Sequence, residues 1–251
     1  MHVPGLQLFR RMLLAPPDLP ENYTMAEFGR FMKEETFLHS AKYARRRVVV
    51  HGRENLLNPA CKTGVMVAFM HYGSFFLTGA AIGAQLGLPY TAIASRRNLE
   101  IAPEPDRNFW YGVHERSGKL YSRPLFFTDE SPRLPLAWLK QKGNVLGIVL
   151  DVREHGQQYR ENAYDFLGEK IYLQSGPARL ACIAGVPVVP VTIRYCTRER
   201  RHHLILDEPV PPDQDPVVMT QRLLDVLGAK VAKEPGQQFY DIASVLKQPA
   251  S

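Results

Sequence analysis

Apolar positions along the chain follow two periods, one helical and one extended. From Met25 to Ala44, Phe28, Phe31, Met32, Phe37 and Leu38 recur near helical spacing with Lys33, Glu34 and Glu35 between them, which predicts a helix. Arg45-Arg46-Arg47 then leads into the β-branched run Val48-Val49-Val50. Val65 to Met70 is a continuous apolar run bounded by Gly64 and His71, the pattern of a strand buried on both faces of a parallel sheet. Phe75 to Leu86, rich in small apolar residues, reads as a helix that stops at Gly87-Leu88-Pro89. Tyr90 to Ala94 predicts a strand, Pro132 to Lys142 a helix, and Val145 to Leu150 a second buried strand ending on Asp151.

Ser175 is placed to cap a helix that stops at Gly185. Val186 to Ile193 follows as an extended run, and its two prolines, Pro187 and Pro190, point to an edge or bulged strand. Leu204 to Leu206 predicts a short strand, and Val217 to Lys233 a last helix with Leu223, Leu224 and Leu227 on one side. Alternating helices and strands predict an α/β fold, a mostly parallel central sheet flanked by helices. No linker divides it, so residues 1–251 read as one domain, and no internal repeat of convincing period is present.

Composition narrows this further. A hydrophobic share of 45 % and a charged share of 22 % are those of a globular chain and exclude wholesale disorder. Cys61, Cys182 and Cys196 are an odd number without a CxxC pair, which argues against a disulfide framework or a structural zinc site and for a reducing compartment. Lys plus Arg total 31 against 25 Asp plus Glu, a formal charge of +6, which suits phosphate groups, an anionic membrane or an acidic protein partner. No apolar run reaches the roughly 18 residues needed to cross a bilayer. Met1 to Leu14 sets Arg10 and Arg11 among Leu6, Leu8, Phe9, Met12, Leu13 and Leu14 before Pro16-Pro17; it is too short for a secretory signal. That segment could lie on a membrane surface or simply cover the core. The expected location is cytoplasmic, with peripheral contact at the inner face of the cell membrane.

In open parallel sheets, binding crevices form at the carboxyl ends of strands. Two apolar runs end there on polar residues, His71 and Asp151. His71 opens His71-Tyr72-Gly73-Ser74, and Gly73 lets backbone or ligand approach the imidazole. An imidazole so placed can take a proton from a hydroxyl or amine nucleophile; the competing reading is a strand-end histidine satisfied by backbone hydrogen bonds. GxSxG, Walker and GxGxxG patterns are absent, and Gly112 to Lys119 only approximates a phosphate loop. HExxH is absent too, and apart from His202-His203 the histidines do not cluster at ligand spacing, so neither metal nor cofactor is expected. His202 to Asp207 fits the HHxxxD pattern of the chloramphenicol-acetyltransferase and condensation families, but Glu208 stands where they carry Gly. The stretch Arg198 to His203 therefore reads as a solvated charge run entering an edge strand.

Taken in order, Val50 to Leu56, Val65 to Gly73, Arg116-Ser117-Gly118, Asp151, Phe166-Leu167-Gly168, Ser175 to Ala181 and Gly185 to Val191 form a series over about 145 residues. This series resembles the lysophospholipid acyltransferase superfamily, and within it the lipid A biosynthesis (lauroyl/myristoyl) acyltransferases. The resemblance covers a core of about 48–194, preceded by a helical region at 1–44 and followed by a strand and helix at 195–251. It implies a glycerolipid acyltransferase-like fold and transfer of a fatty acyl group from an acyl carrier protein or coenzyme A thioester to a hydroxyl or amine of a lipid or metabolite. His71 would be the general base. The acidic carrier would suit the +6 charge, and nucleic acid is not an expected partner.

The family pattern HxxxxD/E is broken at Phe76, and no carboxylate stands at Tyr72, Ser74, Phe75 or Leu77. Three readings follow. Asp151 or Glu154 takes over, the chemistry changes (hydrolysis, or an amine acceptor that needs less help), or the chain binds acyl groups without turning them over. Arg96, Arg97, Arg116 and Arg153 are the candidate phosphate ligands, because the guanidinium fork matches phosphate oxygens. Tyr72, Gly73 and Ser74 are candidate substrate contacts, and Tyr72, Phe75 and Phe76 either line an acyl channel or pack in the core.

Overall fold

The computed structural model describes residues 40–57, 62–101, 104–152, 161–196, 198–238 and 242–247. The first stretch and most of the helix expected from Met25 to Ala44 lie outside these, as do Arg153 and Glu154. What is described of that helix, α1 (Ala41–Arg47), is capped by Ser40, whose hydroxyl accepts from the Tyr43 N–H at 3.0 Å. It ends on three arginines that complement the negative helix terminus and passes directly into β1 (Val48–His51).

The buried runs become strands where the pattern placed them. β2 (Val65–Phe69) is buried at every position, β5 (Val145–Val149) lies beside it, and β3 (Tyr90–Ala94) lies beside β5. Between β2 and β3 the expected helix is split into α2 (Leu77–Ala81) and a π-helical turn (Ile82–Leu86). After β3 come α3 (Arg96–Ile101) and α4 (Glu104–Gly118), so the stretch resembling a phosphate loop is helix. β4 (Phe126–Phe127) and α5 (Arg133–Leu139) precede β5. A hairpin of β6 (Asn162–Phe166) and β7 (Glu169–Leu173) leads to α6 (Gly176–Ala184). Ser175 sits at the N-cap of α6 but its side chain makes no cap bond, since its backbone (ψ 17°) is not extended as a capping residue's is. β8 (Val188–Cys196), β9 (Arg201–Leu206), α7 (Pro216–Lys233) and α8 (Ile242–Leu246) complete the chain.

Seven strands form one sheet in the order β1-β9-β8-β2-β5-β3-β4. All neighbours are parallel except β8 and β9. Two expectations are corrected here. The strand with two prolines lies inside the sheet, between β9 and β2. Its parallel pairing with β2 ends at Ala68↔Pro190, and its antiparallel pairing with β9 begins at Val191↔Leu206. Pro190 thus falls where the strand changes partners, and its carbonyl still accepts from the Asp207 N–H at 3.0 Å. β9 is not an edge strand either, because β1 covers it.

Side chains alternate across β2. Val65, Val67 and Phe69 join Phe75, Leu77, Ala80 and Ile82 on one face; Met66, Ala68 and Met70 join Tyr164, Phe166, Ile171, Leu223 and Leu227 on the other. Both faces are therefore covered, as a parallel sheet requires.

The turn after β2 depends on Gly73. Its φ is +56°, and a Cβ there would stand 1.8 Å from the Ile193 carbonyl oxygen of β8. Gly73→Ala meets both the left-handed penalty and a backbone clash, so the urea unfolding midpoint is expected to fall by the equivalent of about 3 kcal/mol. An unchanged midpoint would show that this turn is not held against β8.

Candidate active site at the ends of β2 and β5

β2 and β5 pair from Val65↔Val145 to Phe69↔Val149. The same offset carried two residues further sets His71 beside Asp151. Asp151 has no exposed side-chain surface and receives the His71 backbone N–H at 3.2 and 3.1 Å on its two oxygens. His71 Nδ1 lies 3.0 Å from Asp151 Oδ1. A buried carboxylate is tolerated only when hydrogen bonds replace its water, and these contacts supply them. An ionised carboxylate can only accept, so Nδ1 is the donor of this contact, and in a neutral imidazole Nε2 then keeps the lone pair. The imidazole is 19 % exposed.

The turn that carries His71 is clamped from below. Gly73 N–H donates to the Gln237 carbonyl at 2.7 Å, and the Tyr72 hydroxyl donates to the Glu234 carbonyl at 3.2 Å. Tyr72 is buried, its hydroxyl pushed above the usual phenol range by that burial, and it packs with Met66, Ala68 and Met70. It is therefore a packing residue. Ser74 is buried at the start of the next turn, and Gly73 serves the approach to β8 described above.

Aromatic rings continue from the imidazole. Phe75 meets His71 edge-on with centroids 4.7 Å apart, Phe76 follows Phe75 at 4.3 Å, and Trp110 and His114 of α4 lie 6.1 and 5.5 Å from Phe76. Burial pushes His114 down to about 4, with His71 adding to the shift, so its ring is neutral at pH 7. Sequence reading passed over His114 because it has no motif around it. Only helical packing against Phe76 brings it near.

The candidate arginines separate. Arg96 holds Asp129 at 3.1 Å and Glu130 at 3.3 Å, with its guanidinium 4.0 Å from the Phe127 ring centroid. Arg97 is exposed beside it. Arg116, in the last turn of α4, folds back over Gly112, and its Nε is buried without a hydrogen-bond partner. Such an orphaned donor in a native fold calls for a ligand or a cost.

Strand direction collects further charge on this rim. The carboxyl ends of β2, β3, β5 and β8 and the amino ends of β1 and β9 share one end of the sheet. The exposed Arg45, Arg46, Arg47, Arg97, Arg198, Arg200 and Arg201 therefore belong to the same end as His71 and Asp151.

Compared with known proteins, the chain matches no family model and no curated protein. Among the described residues, no helix is long and apolar enough to cross a membrane.

Phe76 offers a direct check on the site's construction. It stands among Phe75, Trp110 and His114, so Phe76→Glu would trade aromatic packing for a poorly solvated carboxylate. Urea denaturation is expected to register a loss of about 2–4 kcal/mol. A stability equal to the parent's would mean the ring is not packed there.

Proposed function

We propose that this chain transfers a fatty acyl group from a carrier thioester to a hydroxyl or amine acceptor, with His71 as general base and Asp151 as its orienting partner. The observation that carries the reading is the 3.0 Å contact between His71 Nδ1 and the wholly buried Asp151 Oδ1, on a histidine whose side chain keeps 19 % exposure. Nε2 takes the acceptor's proton as its oxygen or nitrogen attacks the thioester carbonyl carbon. The carbon–sulfur bond then breaks, and the imidazolium returns the proton to the departing thiolate. Throughout, Asp151 fixes the ring's tautomer and offsets the transient positive charge.

Asp151 supplies what position 76 lacks, which removes the reason to favour an amine acceptor over a hydroxyl. Phe76 and Trp110, both partly exposed, provide apolar surface near the base for the acyl chain or the carrier's arm, while Phe75 is buried against the imidazole. The arginine-bearing rim suits a carrier that is acidic or phosphate-bearing, which favours an acyl carrier protein as donor and leaves Arg116 and Arg97 as the candidate phosphate ligands. A lipid acceptor at a membrane face agrees with the same positive charge.

Purified protein incubated with an acyl carrier thioester and mixed hydroxyl and amine acceptors tests this. Acylated acceptor is expected, with His71→Ala slowing its formation by a factor of about 10³ or more and Asp151→Asn by about 10²–10⁴, bracketing the value known for the serine-protease triad. Free fatty acid formed at the same rate without acceptor would make the chain a hydrolase. Tight thioester binding without turnover would make it an acyl-binding protein. Activity that survives His71→Ala would remove the base.

A further inference from the structure

The stretch read as a solvated charge run is partly buried: His202 is wholly covered and His203 is 8 % exposed. In the β8–β9 hairpin Cys196 stands opposite Arg201 and Arg194 opposite His203, so Cys196 and His203 point to the same face, with Glu199 in the turn between. The Cys196 Sγ, a Glu199 oxygen and a His203 ring nitrogen all lie within 4.8 Å of one another. His203 Nε2 is buried and makes no hydrogen bond; Glu199 Oε2 is 3.1 Å away but outside hydrogen-bonding geometry.

We propose that Cys196, Glu199 and His203 form a binding site for a divalent transition-metal cation of the zinc type, independent of the acyl-transfer reading. Thiolate, carboxylate and imidazole are each zinc ligands, and three protein ligands leave a fourth position for water. Metal–ligand bonds of about 2.0–2.3 Å in a tetrahedron put ligand atoms roughly 3.3–3.6 Å apart, so the cluster needs only small side-chain adjustments. The other ring nitrogen is arranged for the task. His203 Nδ1 lies 3.0 Å from His51 Nε2 of β1, so Nδ1–H can donate there and leave the Nε2 lone pair aimed at the thiol and carboxylate. An imidazolium paired with Glu199 would instead direct an Nε2–H at the carboxylate, which the geometry does not show.

Charge also balances. The thiol proton leaves on binding, so the site passes from singly negative (thiol and carboxylate) to neutral (cation, thiolate and carboxylate), and the neighbouring Arg198, Arg200 and Arg201 face a neutral rather than a cationic centre. Arg194, on the same face, is held by Glu234 at 3.1 Å. Cys-x2-Glu-x3-His is no familiar ligand spacing; the hairpin register assembles it.

Chelator-treated full-length protein titrated with Co²⁺ tests the proposal. One equivalent is expected to bind with thiolate-to-cobalt charge-transfer absorption that Cys196→Ser abolishes and Cys182→Ser, at the other described thiol, leaves intact. His203→Gln and Glu199→Gln should each weaken binding at least tenfold, and His51→Gln by about tenfold. Because Glu199 is an exposed turn residue, Glu199→Gln keeps the test valid if the buried variants fail to fold; its urea midpoint should match the parent's without metal and fail to rise with Zn²⁺ as the parent's does. Absence of the band, a band that survives Cys196→Ser, or equal Zn²⁺ stabilisation of Glu199→Gln would each overturn the site and leave an ordinary histidine–carboxylate pair.

Discussion

A carboxylate with no exposed surface has to be satisfied by its neighbours, and His71 makes three contacts to Asp151. His71 gives it the backbone N–H on both oxygens and the ring nitrogen on one, which ties the end of β2 to the end of β5. The same contacts fix the ring's orientation and tautomer. The clamp of Gly73 on the Gln237 carbonyl, the Tyr72 hydroxyl on Glu234 and the close pass of Gly73 to β8 all hold the turn in the one position where this arrangement is available. Remove the carboxylate and a buried N–H loses its acceptor together with the ring, a cost of about 1–3 kcal/mol for the unsatisfied donor alone.

Strand direction does the next part of the work. Because every neighbouring pair of the seven-stranded sheet but β8–β9 is parallel, both of its faces are covered and the carboxyl ends of β2, β3, β5 and β8 gather at one rim. The single antiparallel pair turns β9 and β1 around, which brings the arginines that precede β1 and those of the β8–β9 turn to the rim that carries His71. Positive charge on the rim and the partly exposed Phe76 and Trp110 are what the proposed acyl-carrier donor would meet with its charged body and its greasy cargo. The reading of function rests on that pairing of surfaces as well as on the base itself.

The buried strands were legible because parallel sheets write themselves as unbroken apolar runs: Val65 to Met70 and Val145 to Leu150 came out nearly to the residue. Asp151 was visible as a strand-end carboxylate, but only as one of two that might replace the acid missing at Phe76, since sequence order does not reveal that β5 lies next to β2. Pro187 and Pro190 point to an edge or bulged strand because a missing N–H normally forbids the interior; a change of pairing partner at Pro190 lifts that objection. The β6–β7 hairpin went unread, although Tyr164, Phe166, Ile171 and Leu173 alternate inward around the Leu167-Gly168 turn. His114 and the Cys196 cluster were invisible for a different reason. Each depends on contacts between elements, one across helix packing and one across strand register, and neither leaves a spacing in the chain.

The central claim is a claim about one proton, and it can be observed where it sits. Nitrogen-15 NMR of histidine-labelled protein, at a pH where the His71 ring is neutral, reports which ring nitrogen is protonated. The proposed role predicts the proton on Nδ1, facing Asp151, and an unprotonated Nε2. A proton found on Nε2 would mean that the carboxylate does not orient the ring, and His71 could not serve as the base described.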